Sequence, residues 1–301
     1  MIQIALGGAL LALIANGVPL IGAGPERERA APTATATRAA KAPKRFNARR
    51  AMALVRRQVA YGQRAAGSPA LRRLAVKLRT LLPRGAFEAL PDHPGLRNVV
   101  GTIAGRRPAI VVGAHYDTEA RPEGFVGAND GAAGTAAVVE IARALRRERA
   151  PAGAREIRFV LFDGEEEPPG STDFLLEALR GSKAYVATHR GQVASMVLLD
   201  YVANRGLRLP REGSSDRALW TRLRAAARRT GNIAVFPPGA GVALYDDHTP
   251  FLRAGIPAID LIDFSYPHRD TLADTVDKLS VNALDAVGET VVELLVELRA
   301  R

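Results

Sequence analysis

The chain has 301 residues, 47% of them hydrophobic and 24% charged, which supports one large buried core and excludes a disordered or fibrous chain. It contains no cysteine. That rules out disulfides, thiolate nucleophiles, iron–sulfur clusters and sulfur-ligated zinc, so any metal must be held by His, Asp or Glu. Lys and Arg number 42 against 31 Asp and Glu, a formal net charge of +11. With one Trp, six Tyr and nine Phe, and no basic run interleaved with aromatics, this excess reads as solvated Arg on helix faces and not as a nucleic-acid surface.

Residues 1–24 carry no charged side chain, and 4–21 are almost wholly apolar, the pattern of a signal peptide or a short membrane anchor. Residues 25–45, rich in Ala, Thr, Pro and Arg, read as a disordered linker. The folded part, 46–301, is therefore expected outside the cytoplasm, extracellular or periplasmic, released or anchored by its N-terminus. A monomer is expected.

Within it, Met52, Val55 and Val59, then Leu71, Leu74 and Leu78, mark two helices separated by a turn at 62–69. Two strands, 98–103 and 109–113, are joined so tightly that they predict a hairpin. A helix over 131–149 follows, then strands at 157–162 and 195–199, a basic amphipathic helix at 216–229 and a third apolar strand at 257–262 that Asp260 interrupts. Leu284, Val287, Val291, Leu294 and Leu298 recur at helical spacing and mark the final helix. Strands alternating with helices predict one three-layer α/β sandwich.

Acidic residues gather just past the strand ends: His115 and Asp117, Asp130 at a helix start, Asp163 and Glu165 to Glu167, and Asp200. Ligands of open α/β sheets bind at the carboxyl ends of strands, so these groups can converge. Converging carboxylates repel one another unless a dication neutralises them, and His with carboxylates suits zinc. The Gly-rich turn 127–134 lacks the Lys of a phosphate-binding loop, which leaves Asp130 as a metal ligand or a plain N-cap. In the tandem Glu165-Glu166, one carboxylate can bind metal while the other moves a proton. Asp247 and His248 either form a cap with a surface hydrogen bond, or orient a substrate amine and steady an anionic intermediate.

Taken together, Ala114-His-Tyr-Asp-Thr118, Gly127-Ala-Asn-Asp130, Phe162-Asp-Gly-Glu-Glu166, Leu198-Leu-Asp200, Asp247-His-Thr-Pro-Phe-Leu252 and the run Asp270 to Leu279 resemble the zinc aminopeptidase and glutaminyl-peptide cyclotransferase superfamily. The resemblance spans roughly 46–299 and implies a twisted mixed central sheet flanked by helices. It also implies zinc on Asp130 and Glu166, with Glu165 as general acid and base. In aminopeptidases a second zinc would use His115 and Asp200 with Asp130 bridging, and Asp117 would hold the His115 ring. In cyclotransferases one zinc is usual, and Asp200 and Asp247 form a relay with Glu165.

The chain departs from the family where a His should stand four residues before Asp274-Thr275. Asp270 occupies that position. Either Asp270 replaces the imidazole, or a local shift brings in His268, or the scaffold persists without catalysis as a peptide-binding protein. The implied substrate is a peptide with a free N-terminus. Cyclotransferases place a Trp before the final His, whereas Arg269 stands here and the only Trp is Trp220. Hydrolysis by an aminopeptidase is therefore the first expectation, and cyclisation of an N-terminal Gln with release of ammonia the alternative.

Overall fold

The apolar runs expected as strands form the spine of a six-stranded sheet in the computed structural model, which describes residues 42–301. The leader and most of the linker expected from the sequence lie outside the described residues. In chain order the elements are α1 (Ala48–Val59), α2 (Pro69–Leu81), β1 (Ala86–Ala89), β2 (Arg97–Ile103), β3 (Arg106–His115), α3 (Ala132–Leu145), β4 (Arg155–Phe162), α4 (Phe174–Glu177), α5 (Arg180–His189), β5 (Val193–Asp200), α6 (Arg217–Thr230), α7 (Thr249–Arg253), β6 (Ala258–Ile262) and α8 (Val281–Arg299). The sheet order is β1-β2-β4-β3-β5-β6. Its first two pairings are antiparallel and the rest parallel, which makes the sheet mixed.

Period-two alternation splits each central strand between two helical layers. On β4, Ile157, Phe159 and Leu161 join the core formed with α1, α2, α3, α6 and α8, while Val160 and Phe162 face the cluster that includes Tyr185 of α5 and Phe251 of α7. The result is the three-layer sandwich. Before α1 the chain is already fastened: Ala42 N–H donates to Arg229 carbonyl, and Glu289 accepts the backbone N–H groups of Arg45 and Phe46.

The expected hairpin of β2 and β3 does not form. β4 lies between them, antiparallel to β2 and parallel to β3. The two-residue connection instead passes over the start of β4, where Arg106 is paired with Arg155 and Ile103 with Ile157. The reason is burial: β4 is apolar on both faces and needs a hydrogen-bonded neighbour on each side. No helix among the described residues is long and apolar enough to cross a membrane.

Candidate active site

The carboxyl ends of β4 and β5 deliver the Glu165-Glu166 turn and Asp200 to one cleft, and the end of β3 sets buried His115 beside Asp200. The cleft, lined also by Glu119, Asp130, Tyr201, Asp246 and Asp270, has a volume of about 350 Å³. Phe174, Leu244, Ile262 and Phe264 supply its apolar walls. Small residues allow this convergence. A Cβ on Gly134 in the first turn of α3 would lie 2.2 Å from the Leu199 carbonyl oxygen, so α3 presses directly on β5.

Asp130 is not the cap of α3. That position belongs to Gly131, at φ 72°, and it carries no side-chain cap. The Asp130 carboxylate turns into the cleft instead, where Oδ1 lies 3.1 Å from His115 Nε2 and Oδ2 accepts the Tyr201 hydroxyl at 2.8 Å. Buried Asp274 sets this turn by accepting the backbone N–H of Asn129 and Asp130 and the hydroxyl of Tyr266. Burial, then the Asp130 charge, push the Asp274 carboxyl up to about 6. A Cβ on Gly131 would sit 2.5 Å from the Asp117 carbonyl oxygen. Gly131→Ala therefore combines a left-handed backbone with a clash. We expect a stability loss of about 1–3 kcal/mol in chemical denaturation.

His115 sits in the midst of these carboxylates. Its Nε2 also lies 3.5 Å from Asp200 Oδ1, and its Nδ1 lies 4.0 Å from Glu165 Oε2. Burial opposes its charge, but Asp117, Asp130 and Asp200 outweigh that and raise its pKa well above the ordinary value. Asp117 does not grip the His115 ring as expected: the separation from Nδ1 is 3.7 Å. Its oxygens are directed to the backbone N–H groups of Glu165 and Glu166, at 3.2 and 3.3 Å, so Asp117 fixes the acidic turn. Burial raises the Glu165 carboxyl well above the usual range, opposed by His115 and reinforced by Asp246, Asp247 and Asp117. Burial likewise pushes Asp200 up to about 7, against the pull of His115.

Asp270 stands on the cleft wall in a left-handed conformation, φ 58°. Its Oδ1 accepts from the same Tyr201 hydroxyl that touches Asp130, at 3.0 Å, and its Oδ2 pairs with Arg269 at 2.9 Å. A phenol has one proton to give, so Tyr201 can satisfy only one of these carboxylates. His268 is off the wall, with its ring edge-on to Tyr266 at 5.5 Å between centroids. At the loop before α7, Asp246 and not Asp247 lines the cleft. Asp247 and His248 are both fully buried, His248 with Nε2 against Ser214 and Glu212.

The donor set fits a dication. His115, Asp130 and Asp200 offer atoms within 4.8 Å of one another, as do His115, Glu165 and Glu166, and the buried His115 Nδ1 and Glu166 Oε1 have no hydrogen-bond partner. Sequence reasoning missed Glu119, Tyr201, Asp246 and Arg64. The last is wholly buried under the cleft, donating to the carbonyls of Gly62, Val126 and Gly127. A lone Arg in a turn carries no signal of that role.

A sequence model described as Peptidase family M28 matches residues 98–295. The chain belongs to that family, and its fold is the one shared by zinc-dependent exopeptidases and glutaminyl cyclases. The glutaminyl-peptide cyclotransferase of Bothrops jararaca is 25% identical over 217 residues, 60% of this chain and 59% of that protein. The matched part thus spans less than two thirds of that relative. Among solved structures, an Acidobacteriales bacterium glutaminyl cyclase superposes with a TM-score of 0.73 and 28% identity, covering 86% of this chain and 96% of its own. Porphyromonas gingivalis glutaminyl cyclase gives 0.72 and 29%, covering 85% and 99%. A leucine aminopeptidase precursor from Bacteroides thetaiotaomicron gives 0.72 and 26%, covering 85% and 98%.

Proposed function

We propose that the protein is a zinc-dependent glutaminyl-peptide cyclotransferase, converting an N-terminal Gln to pyroglutamate with release of ammonia. This reverses the order expected from the sequence, which put hydrolysis first. The observation that carries it is the placement of Glu165, Asp200 and Asp246 around one small cleft, opposite apolar walls. Buried carboxyls with raised proton affinity can pass a proton without bulk water. The likeness to glutaminyl cyclases from several sources supports the same reading.

By the family resemblance Asp130, Glu166 and Asp270 would hold the zinc, with His115 as the neighbour that lies within ligand range of Asp130 in one close group and of Glu166 in another. When bound, the ion neutralises these carboxylates and polarises the side-chain carboxamide. Asp200 faces the cleft, where its carboxyl can accept a hydrogen bond from the substrate α-amine. Glu165 accepts a proton from that amine as its nitrogen bonds to the carboxamide carbon, and returns it to the nitrogen leaving as ammonia. Asp117 keeps Glu165 in place through the backbone N–H it accepts. Phe174, Leu244 and Phe264 limit water at the reacting carbon.

A second reading, an aminopeptidase, is favoured by the His115, Asp130 and Asp200 group, which can hold a further metal ion. Incubation with a Gln-initiated and a Leu-initiated peptide, followed by mass, separates the two. Loss of ammonia from the first peptide without shortening of either supports cyclisation, whereas release of the first residue rejects it. For the final ligand, Asp270→Ala is expected to weaken zinc binding by more than the roughly 10–100-fold typical of losing an outer contact. His268→Ala is expected to leave it unchanged, both read by competition with a chromogenic chelator. We also propose export, on the apolar stretch 1–24, tested by cell fractionation with the N-terminus of the mature protein sequenced.

A further inference from the structure

Beside the cleft lies a larger cavity, of about 520 Å³, that the proposed chemistry does not use. Leu244, Ile262 and Phe264 line both, so the two spaces meet along one apolar wall. Pro237, Pro238 and Val242 extend that lining on the side away from the acidic groups of the cleft. Of the six large apolar side chains exposed among the described residues, Val242, Tyr245 and Phe264 all stand on these two cavities. Apolar exposure gathered in one place marks a binding surface.

The cavity is preformed. Its loop is tied at three points: Gly213 N–H donates to the Val242 carbonyl at 2.8 Å, Gly241 N–H to the Arg211 carbonyl at 2.7 Å, and Leu244 N–H to the Glu212 carboxylate at 2.8 Å. Arg269 lies over the Phe264 ring, 4.1 Å from its centroid, and stiffens the shared wall. Two carboxylates reach the lining, but both are buried and occupied by internal donors. Asp263 accepts from Asn204, Ser265 and the Arg208 N–H, and Glu212 from Ser214, Ser215 and Leu244. The Arg208 side chain differs. It is exposed at this cavity and has no carboxylate partner among the described residues.

We propose that this cavity seats the residues that follow the first one in a peptide substrate, taking an apolar side chain against Val242 and the shared wall and an acidic side chain at Arg208. The inference rests on the reading that the cleft takes the free N-terminus of a peptide, which cyclisation and hydrolysis have in common. A peptide whose first residue fills the cleft must carry the rest of its chain outward, and the apolar wall leads directly into this second space. Alternate side chains of an extended chain point to opposite sides, so the second or the third residue can supply the apolar contact. Arg208 then offers a planar fork of donors to a carboxylate further along. Preformed walls keep the ordering cost of such binding low. The enzyme would thus select among peptide N-termini by what stands behind the first residue.

Calorimetric titration of the zinc-loaded full chain carrying E165Q, which by the proposed mechanism binds without turnover, tests this with the amidated peptides Gln-Leu-Leu-Glu, Gln-Ser-Ser-Glu and Gln-Leu-Leu-Lys. The first should bind about tenfold more tightly than the second, the lower end of what an apolar pocket discriminates. At low salt it should bind up to about fivefold more tightly than the third, the range of an exposed ion pair. V242D added to E165Q should erase the preference for Leu, and R208E should reverse the preference for Glu over Lys. Glutamine amide, which reaches only the cleft, should bind all three proteins alike. Both substituted side chains are exposed, so the variants should fold, with melting temperatures near the parent's. Equal affinity for the three peptides, a Leu preference that survives V242D, or a Glu preference that survives R208E overturns the proposal. So does a V242D chain that loses self-association in sedimentation yet keeps the Leu preference, because the wall would then cover a second copy. These are binding measurements, so a product mass that rejects cyclisation leaves them standing.

Discussion

Glu165→Gln is expected to lower kcat by about 10²–10⁴-fold, the usual worth of a positioned general acid–base, while the bound zinc and the melting temperature stay near those of the parent protein. Gln retains the shape of Glu and cannot accept and return the proton. The backbone N–H of residue 165 remains available to Asp117, so the acidic turn keeps its anchor. Glu166, which would be the ligand, is untouched. Steady-state kinetics on a Gln-initiated peptide, paired with elemental analysis, checks both halves. Unchanged kcat with metal retained would remove Glu165 from the mechanism.

Glu212→Ala is expected to cost about 3–5 kcal/mol, the range for breaking a buried, hydrogen-bonded charge group on one side. It would leave the N–H groups of Ser214, Ser215 and Leu244 without their acceptor. The loop after β5 would then separate from the segment leading to Asp246. The same residue sets an acid limit. Although burial alone would raise its pKa, the contact with His248 and the backbone donors of Ser214 and Leu244 pull the Glu212 carboxyl down to about 2, below the 4.5 of a free Glu. A folded pKa below the unfolded one means that the unfolded chain binds the proton more readily. The stabilisation is complete above about pH 4.5 and is lost as pH falls toward 2. Denaturation midpoints measured across this window should fall with pH in the parent protein, and much less steeply in Glu212→Ala.

Much of the fold was legible because burial writes a period into sequence. The final helix and the apolar runs of β4, β5 and β6 carry that pattern plainly, and the structure places each where it was expected. The hairpin failed because a short connection constrains only where two strands end. Which strand lies between them is decided by the two-faced burial of β4, far along the chain.

Within the site, residues at strand ends were readable because the end of a strand in an open sheet has a known position. Loop residues were not. Neighbouring side chains in the loop before α7 point to opposite sides, so Asp246 reaches the cleft and Asp247 does not. Tyr201 follows Asp200 with φ 45°, a left-handed step that turns its hydroxyl back onto Asp130 and Asp270 and that no pattern of residue types announces. Asp260 was visible as an acid interrupting an apolar strand, a sign of a buried polar contact whose partners only the tertiary structure could name.

The most direct measurement is to run the reaction on a Gln-initiated peptide in water enriched in heavy oxygen and to weigh the product. Attack by the substrate's own amine predicts a cyclised product that has lost one ammonia and carries no heavy oxygen. Heavy oxygen in a newly formed carboxylate, with the first residue released, would show that water is the nucleophile and would contradict the account.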